Sequence, residues 1–223
     1  MPLPRVPGLG GWGSDPLWGK FYDWTVEHPR VGGALWRIGV QSDLRLLYET
    51  AEEIGRQPPG SRILDVPCGG GVALRGLRPE QRVEYVAADI SQAMLDRTME
   101  AARARQVADQ VTPVIADVGD LPLDDGDADL VVSCTGLHCF PDPELAVSEM
   151  VRVLKLDGAI TGSALLNDSL RYEPLRRAGR IAGLLGPGCT SDQIVLWLTR
   201  NGVADVTLQI SGAIGYFRGV KRN

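Results

Sequence analysis

The chain has 223 residues, 44% of them apolar and 23% charged, enough for one α/β domain whose core needs neither a disulfide nor a metal to hold it. A formal net charge of -5 disfavours a surface built to grip phosphate backbones, so no nucleic-acid partner is expected. No apolar run approaches the roughly 18 residues of a membrane span, and the opening MPLPRVPGLGG is broken by Pro and Gly where a signal peptide needs an apolar stretch. Neither stable membrane insertion nor export is expected. The four cysteines (Cys68, Cys134, Cys139, Cys189) lack C-x-x-C spacing and there are only two histidines. The expectation is therefore reduced thiols in a cytoplasmic protein with no metal site.

The first stretch, to about residue 20, is rich in Gly and Pro. More than half of the aromatic residues nevertheless fall before position 50: Trp12, Trp18, Phe21, Tyr22, Trp24, Trp36 and Tyr48. A disordered tail is poor in aromatics, so residues 1–60 read as a helical segment that either braces the core or forms a lid over a ligand pocket. From residue 61 four short apolar runs follow, Arg62–Val66, Arg82–Ala88, Val111–Ala116 and Ala128–Ser133. Helical stretches separate them. Ser91–Arg105 carries Met94, Leu95, Met99 and Ala102 at helical spacing, and Pro143–Lys155 has Asp142 as N-cap with Gly158 just past its end. A fifth strand is expected at Ala159–Leu165. Val203–Ile210 and Ala213–Val220 read as two strands joined by a tight Ser211-Gly212 turn, which makes them antiparallel. The fold predicted is a single-domain, Rossmann-like α/β architecture: a seven-stranded mixed sheet, mostly parallel with the last strand antiparallel, and helices on both faces.

The chemistry lies in where the carboxylates fall. The first strand reads Ile63-Leu64-Asp65-Val66 and runs into Pro67-Cys68-Gly69-Gly70-Gly71, a loop expected to open a helix. The second strand ends at Asp89, and the third at Ala116-Asp117-Val118. In an open α/β sheet, ligands bind outside the carboxyl ends of the strands, so all three acids face one edge. Glycines let a backbone approach a ligand closely, and an acid some 20 residues after such a loop is suited to a ribose diol. A dinucleotide fingerprint laid on Gly69 and Gly71 fails at Leu74, and Asp65 inside the first strand would repel a pyrophosphate. It would attract an ammonium instead. The pattern asks for an adenosine ligand with a cationic tail and no phosphates.

The stretch Ile-Leu-Asp-Val-Pro-Cys-Gly-Gly-Gly (63–71) resembles the D-x-G-x-G-x-G motif of class I S-adenosylmethionine-dependent methyltransferases. Asp89, Asp117 and the run from Asp129 to Asp142 match later motifs in order, and Arg152-Val-Leu-Lys-Leu-Asp-Gly158 resembles their R-V-L-K-P-G-G segment. The likeness covers about 60–165 and is similar to the small-molecule branch that includes quinone-biosynthesis C-methyltransferases. It implies a methyltransferase domain over 61–223, with S-adenosyl-L-methionine as cofactor and S-adenosyl-L-homocysteine as product. It implies that Pro67, Cys68, Gly69 and Gly71 back the methionine part while Asp65 stabilises its ammonium. Asp89 would take the ribose hydroxyls, with Ile90 and Met94 near the adenine. Asp117 would accept from the adenine amino group under Val118, and Cys134 and Leu137 would lie beside the methionine chain. Pro67 stands where the family has its first glycine, losing an N–H but keeping the carbonyl that an ammonium needs. Leu156 and Asp157 replace the usual Pro-Gly.

Methyl transfer needs a base only if the acceptor must lose a proton early. His138 is the expected candidate, at the pocket rim after the fourth strand, whereas His28 reads as a surface residue. Trp18 and Tyr22 are candidate lid residues for the acceptor. Leu175, Ala178, Ile181 and Leu185 fall on one helical face of 168–187, read as core packing or a cover for the acceptor, with Arg171, Arg176, Arg177 and Arg180 on the polar side. Apolar and aromatic walls suit a small hydrophobic acceptor such as a quinone, lipid or polyketide. The alternatives are methylation of protein or RNA, which the acidic balance opposes, and a non-catalytic binder of the same cofactor. The acceptor's identity, the atom methylated and the oligomeric state are not encoded in these motifs.

Overall fold

The computed structural model describes Thr25, Val26 and residues 28–223. Trp18 and Tyr22 lie outside the described residues. Helices α1 (Pro29–Gly39) and α2 (Leu44–Gly55) precede the sheet. The strands are β1 (Arg62–Asp65), β2 (Glu84–Asp89), β3 (Val111–Ile115), β4 (Ala128–Ser133), β5 (Leu154–Leu165), β6 (Val203–Ser211) and β7 (Ile214–Lys221). Between them lie α3 (Gln92–Ala104), α4 (Pro143–Arg152), α5 (Glu173–Ile181) and α6 (Ser191–Arg200). They form one sheet in the order β3-β2-β1-β4-β5-β7-β6. The first five are parallel, and β7 runs antiparallel to both β5 and β6. Pro113 is accommodated because β3 is an edge strand.

Buried on both faces, β1, β2 and β4 are continuous apolar runs, and their pleat divides them between two cores. Ile63, Tyr85, Ala87, Leu130 and Val132 face one way and pack with Leu47 and Ile54 of α2 and Leu95 of α3. Leu64, Val86, Ala88 and Val131 face the other way, against Met150 of α4 and Trp197 and Leu198 of α6. Helix α4 begins where Asp142 accepts a hydrogen bond from the Leu145 N–H, and α6 where Thr190 and Gln193 form a capping box.

Three local expectations are corrected. The glycine loop opens only a short 3-10 helix, Val72–Gly76. At Gly76 a Cβ would lie 1.7 Å from the Ala51 carbonyl oxygen, so α2 packs directly on the backbone there, and Pro79 follows soon after. Helix α4 stops at Arg152, three residues early, because the Val153 carbonyl is taken by the N–H groups of Asp127 and Ala128. The chain passes straight into β5, so Gly158 is a strand residue and not a cap. In the hairpin Ser211 already pairs with Ile214. The turn is therefore Gly212-Ala213, with Gly212 at φ +58°.

The segment 168–187 also differs from its reading. Leu175 and Ile181 are exposed, at 47% and 78%, whereas Arg176 is 3% exposed. Its guanidinium donates to the carbonyls of Leu166 and Ser169 and to Glu173. The helix turns its arginine inward to donate to the buried Leu166 carbonyl and the part-buried Ser169 carbonyl, a demand the apolar pattern does not carry.

Candidate active site

Chain order reverses between β1 and β4, and the carboxyl ends of the strands open there on a cavity of about 430 Å³. Asp65 closes β1 on its floor and is 1% exposed. Its Oδ2 accepts from the Tyr85 hydroxyl at 2.6 Å, while its Oδ1 is buried with no hydrogen-bond partner among the described residues. Burial pushes the carboxyl up to about 7; the Tyr85 hydrogen bond opposes that rise and the nearby Asp89 adds to it.

Asp89, at the end of β2, is 6% exposed. Oδ2 accepts from the Gly69 N–H at 3.0 Å and Oδ1 from the Ser91 N–H at 2.9 Å. The carboxylate thus ties the glycine loop to the start of α3, yet each oxygen keeps a lone pair for an outside donor. Burial raises its pKa, partly offset by those backbone donors. Gly69 stands at φ +52°, and the Thr98 hydroxyl holds its carbonyl at 2.7 Å. Asp117 is exposed at the rim and accepts from the Gly119 N–H.

Of the residues expected in the site, Asp65, Pro67, Cys68, Gly69, Asp89, Ile90, Met94, Asp117, Val118, Cys134 and His138 all line this cavity. Gly71 and Leu137 do not. Leu137 is fully buried in the core, and Gly71, at φ +83°, caps the 3-10 helix. His138 receives the Leu165 N–H on its Nδ1 at 3.0 Å, and burial pushes its pKa down to about 4. Both facts count against the base role expected for it.

The sequence reading missed the far wall. Trp36 of α1, Val40 at its C-cap, Phe140, Leu165 and Ile214 all line the cavity. Trp36 had a signal, since it belongs to the aromatic cluster before position 50. Val40 and Ile214 had none. They meet because the Ala213 N–H donates to the Val40 carbonyl at 2.8 Å, across more than 170 residues of sequence.

Residues 64–161 match the methyltransferase-domain family. That stretch, a little under half of the chain, is similar to the methyltransferase domain rather than the whole of a known protein. A chloroplast methyltransferase of Arabidopsis thaliana is 32% identical over 131 residues, covering 57% of this chain and 36% of that protein. The demethylmenaquinone methyltransferase of Clavibacter sepedonicus is 39% identical over 102 residues, covering 45% of this chain and 40% of that protein. The chain thus spans well under half the length of these two relatives. In structure it resembles phosphoethanolamine N-methyltransferase 2 of Haemonchus contortus, solved with S-adenosyl-L-methionine, with a TM-score of 0.70 at 16% identity. That alignment covers 92% of this chain and 57% of the other; the likeness is one of fold.

The class I cofactor fits the residues present. Asp65 Oδ1 is a buried acceptor lacking a donor, as an ammonium would require, and Asp89 retains acceptor capacity for a diol. The loop between them exposes a backbone free of side chains at Gly69 and Gly70. Among the described residues, no Lys or Arg stands in the cavity wall to meet a pyrophosphate.

Proposed function

We propose that this protein transfers the methyl group of S-adenosyl-L-methionine to a small, largely apolar acceptor, leaving S-adenosyl-L-homocysteine. The observation that carries the reading is the buried, unpartnered oxygen of Asp65 beside the glycine loop, with Asp89 one strand away. The bound cofactor supplies a sulfonium methyl group open to in-line attack. The chain's own part is to hold the two reactants in line and to keep water out. Asp65 and Asp89 fix one reactant by its ends. The apolar wall of Trp36, Val40, Phe140, Leu165 and Ile214 favours an acceptor with a hydrophobic body. A quinol-like acceptor agrees with the name of the Clavibacter relative, and the formal charge of -5 speaks against nucleic acid. Among the described residues no helix is long and apolar enough to cross a membrane.

The test is calorimetric titration with S-adenosyl-L-methionine and S-adenosyl-L-homocysteine, followed by transfer of a labelled methyl group to a panel of short-chain quinols, phenols and carboxylic acids. Saturable binding of both nucleosides and labelling of an apolar acceptor are expected. Binding of neither nucleoside would overturn the reading.

A further inference from the structure

His138 sits in an over-determined turn. Thr135, a β-branched residue two positions past the end of β4, stands at φ +54°, where such residues rarely go. Its N–H is held by the Ser163 hydroxyl at 3.0 Å, and the Cys139 N–H closes the turn onto the Gly136 carbonyl at 2.8 Å. Two residues beyond Ser163 on β5, the Leu165 N–H donates to His138 Nδ1 at 3.0 Å. The His138 carbonyl accepts from the Gly186 N–H at 2.9 Å. One strand end therefore grips both Thr135 and His138, and the loop after α5 fixes the backbone of His138 as well.

An imidazole nitrogen that receives an N–H is the unprotonated one, so the ring's proton resides on Nε2. His138 lines a cavity whose adjoining wall is apolar: Trp36, Phe140, Leu165 and Ile214. We infer that His138 is a fixed hydrogen-bond donor that anchors an oxygen of the methyl acceptor, selecting acceptors with a carbonyl, phenol or enol oxygen close to the methylated atom. This rests on the methyl-transfer reading and deepens it. One directional donor in an apolar pocket orients its ligand, because an analogue lacking the oxygen leaves that donor unpaired. The acceptor's proton leaves to solvent and not to the ring, whose free lone pair is already engaged. Burial keeps the imidazole neutral at ordinary pH. The titratable side chains that share its cavity include Asp65, Cys134 and Cys139, and no charge offsets the burial.

With only two histidines in the chain, the ring nitrogens of His138 can be read directly by 15N NMR of the full chain, with His28→Gln to assign them. The expected spectrum is a neutral ring protonated on Nε2 and unchanged between pH 5 and 8. A ring that titrates in that range, or that carries its proton on Nδ1, overturns the inference. The second arm measures binding of 1,4-naphthoquinone and of naphthalene in saturating S-adenosyl-L-homocysteine. His138→Asn keeps an acceptor for the Leu165 N–H but has no atom where Nε2 lies. His138→Gln restores an N–H at that distance. Quinone affinity should fall about tenfold in H138N and recover in H138Q, while naphthalene binds all three proteins alike. An equal response to both probes overturns the role of His138 alone. If the homocysteine nucleoside fails to bind the unsubstituted protein, the methyl-transfer reading falls first and takes this inference with it.

Discussion

Asp65 keeps one carboxylate oxygen against Tyr85 and the other buried without a partner. Ionising it in the unliganded protein is therefore costly, and a cationic ligand relieves that cost. Two pH effects follow. Its folded pKa, about 7, lies above the ordinary 3.8, so ionisation opposes folding. Its contribution is most favourable below pH 4, declines as pH rises, and levels off above about 7. Denaturant melts of the unliganded protein and Asp65→Asn should diverge between pH 4 and 7, the wild type losing ground to the variant. Cofactor affinity should run the other way, strengthening as pH rises through about 7 and the carboxylate forms. Tyr85→Phe, which removes a hydrogen bond that favours the charged form, should move that rise to higher pH, and D65N should flatten it. Calorimetry across pH 5.5–8.5 measures both. Asp89→Ala should weaken cofactor binding by about 1–3 kcal/mol through lost charge-assisted hydrogen bonds. Asp205→Asn, on β6 and distant from the site, should leave it unchanged. These acids were legible because each falls at the end of an apolar run. Leu137 was placed beside the methionine chain by the family resemblance, but it is buried in the core beyond the turn at Thr135.

Secondary-structure elements read less evenly than the acids. Short apolar runs located β1–β5 and a period-3.6 pattern located α3, because those elements bury their apolar residues and the pattern records burial. They failed for α5, whose buried residue is Arg176 and whose leucine and isoleucine face outward. A side chain turned inward to satisfy the Leu166 and Ser169 carbonyls answers a hydrogen-bonding need that hydrophobic spacing cannot display. Arg176→Ala should cost about 1–3 kcal/mol, since both carbonyls would lose a buried donor. Leu175→Ala, at an exposed position, should stay within about 0.5 kcal/mol. Chemical denaturation of the two variants side by side checks the order. The reverse ranking would restore the apolar face as the packed one.

At the scale of the whole molecule, the cavity draws on β1, β2 and β5, on the turn after β4, on α1, and on the tip of the β6–β7 hairpin. A ligand that fills it should stabilise the entire fold. At 100 times its Kd, S-adenosyl-L-homocysteine would add about 2.7 kcal/mol, which for a domain of this size raises Tm by about 5–10 °C. A thermal scan with and without the nucleoside measures it, and D89A should shrink the shift at the same ligand concentration. The parallel half of the sheet was legible because alternating strands and helices admit few topologies. The apolar wall was not, since the contact of Val40 with Ala213 exists only once the hairpin has closed against α1.

Strand β7 comes after β6 along the chain yet lies between β6 and β5. During vectorial synthesis β6 emerges with no neighbour to pair with, and the flank of β5 stays open until the residues after Gly212 are clear of the ribosome. A nascent polypeptide stalled before that point would display two unsatisfied backbone rows at once, the form most open to intermolecular strand pairing. For this molecule, completion of the sheet is a matter of timing as much as of sequence.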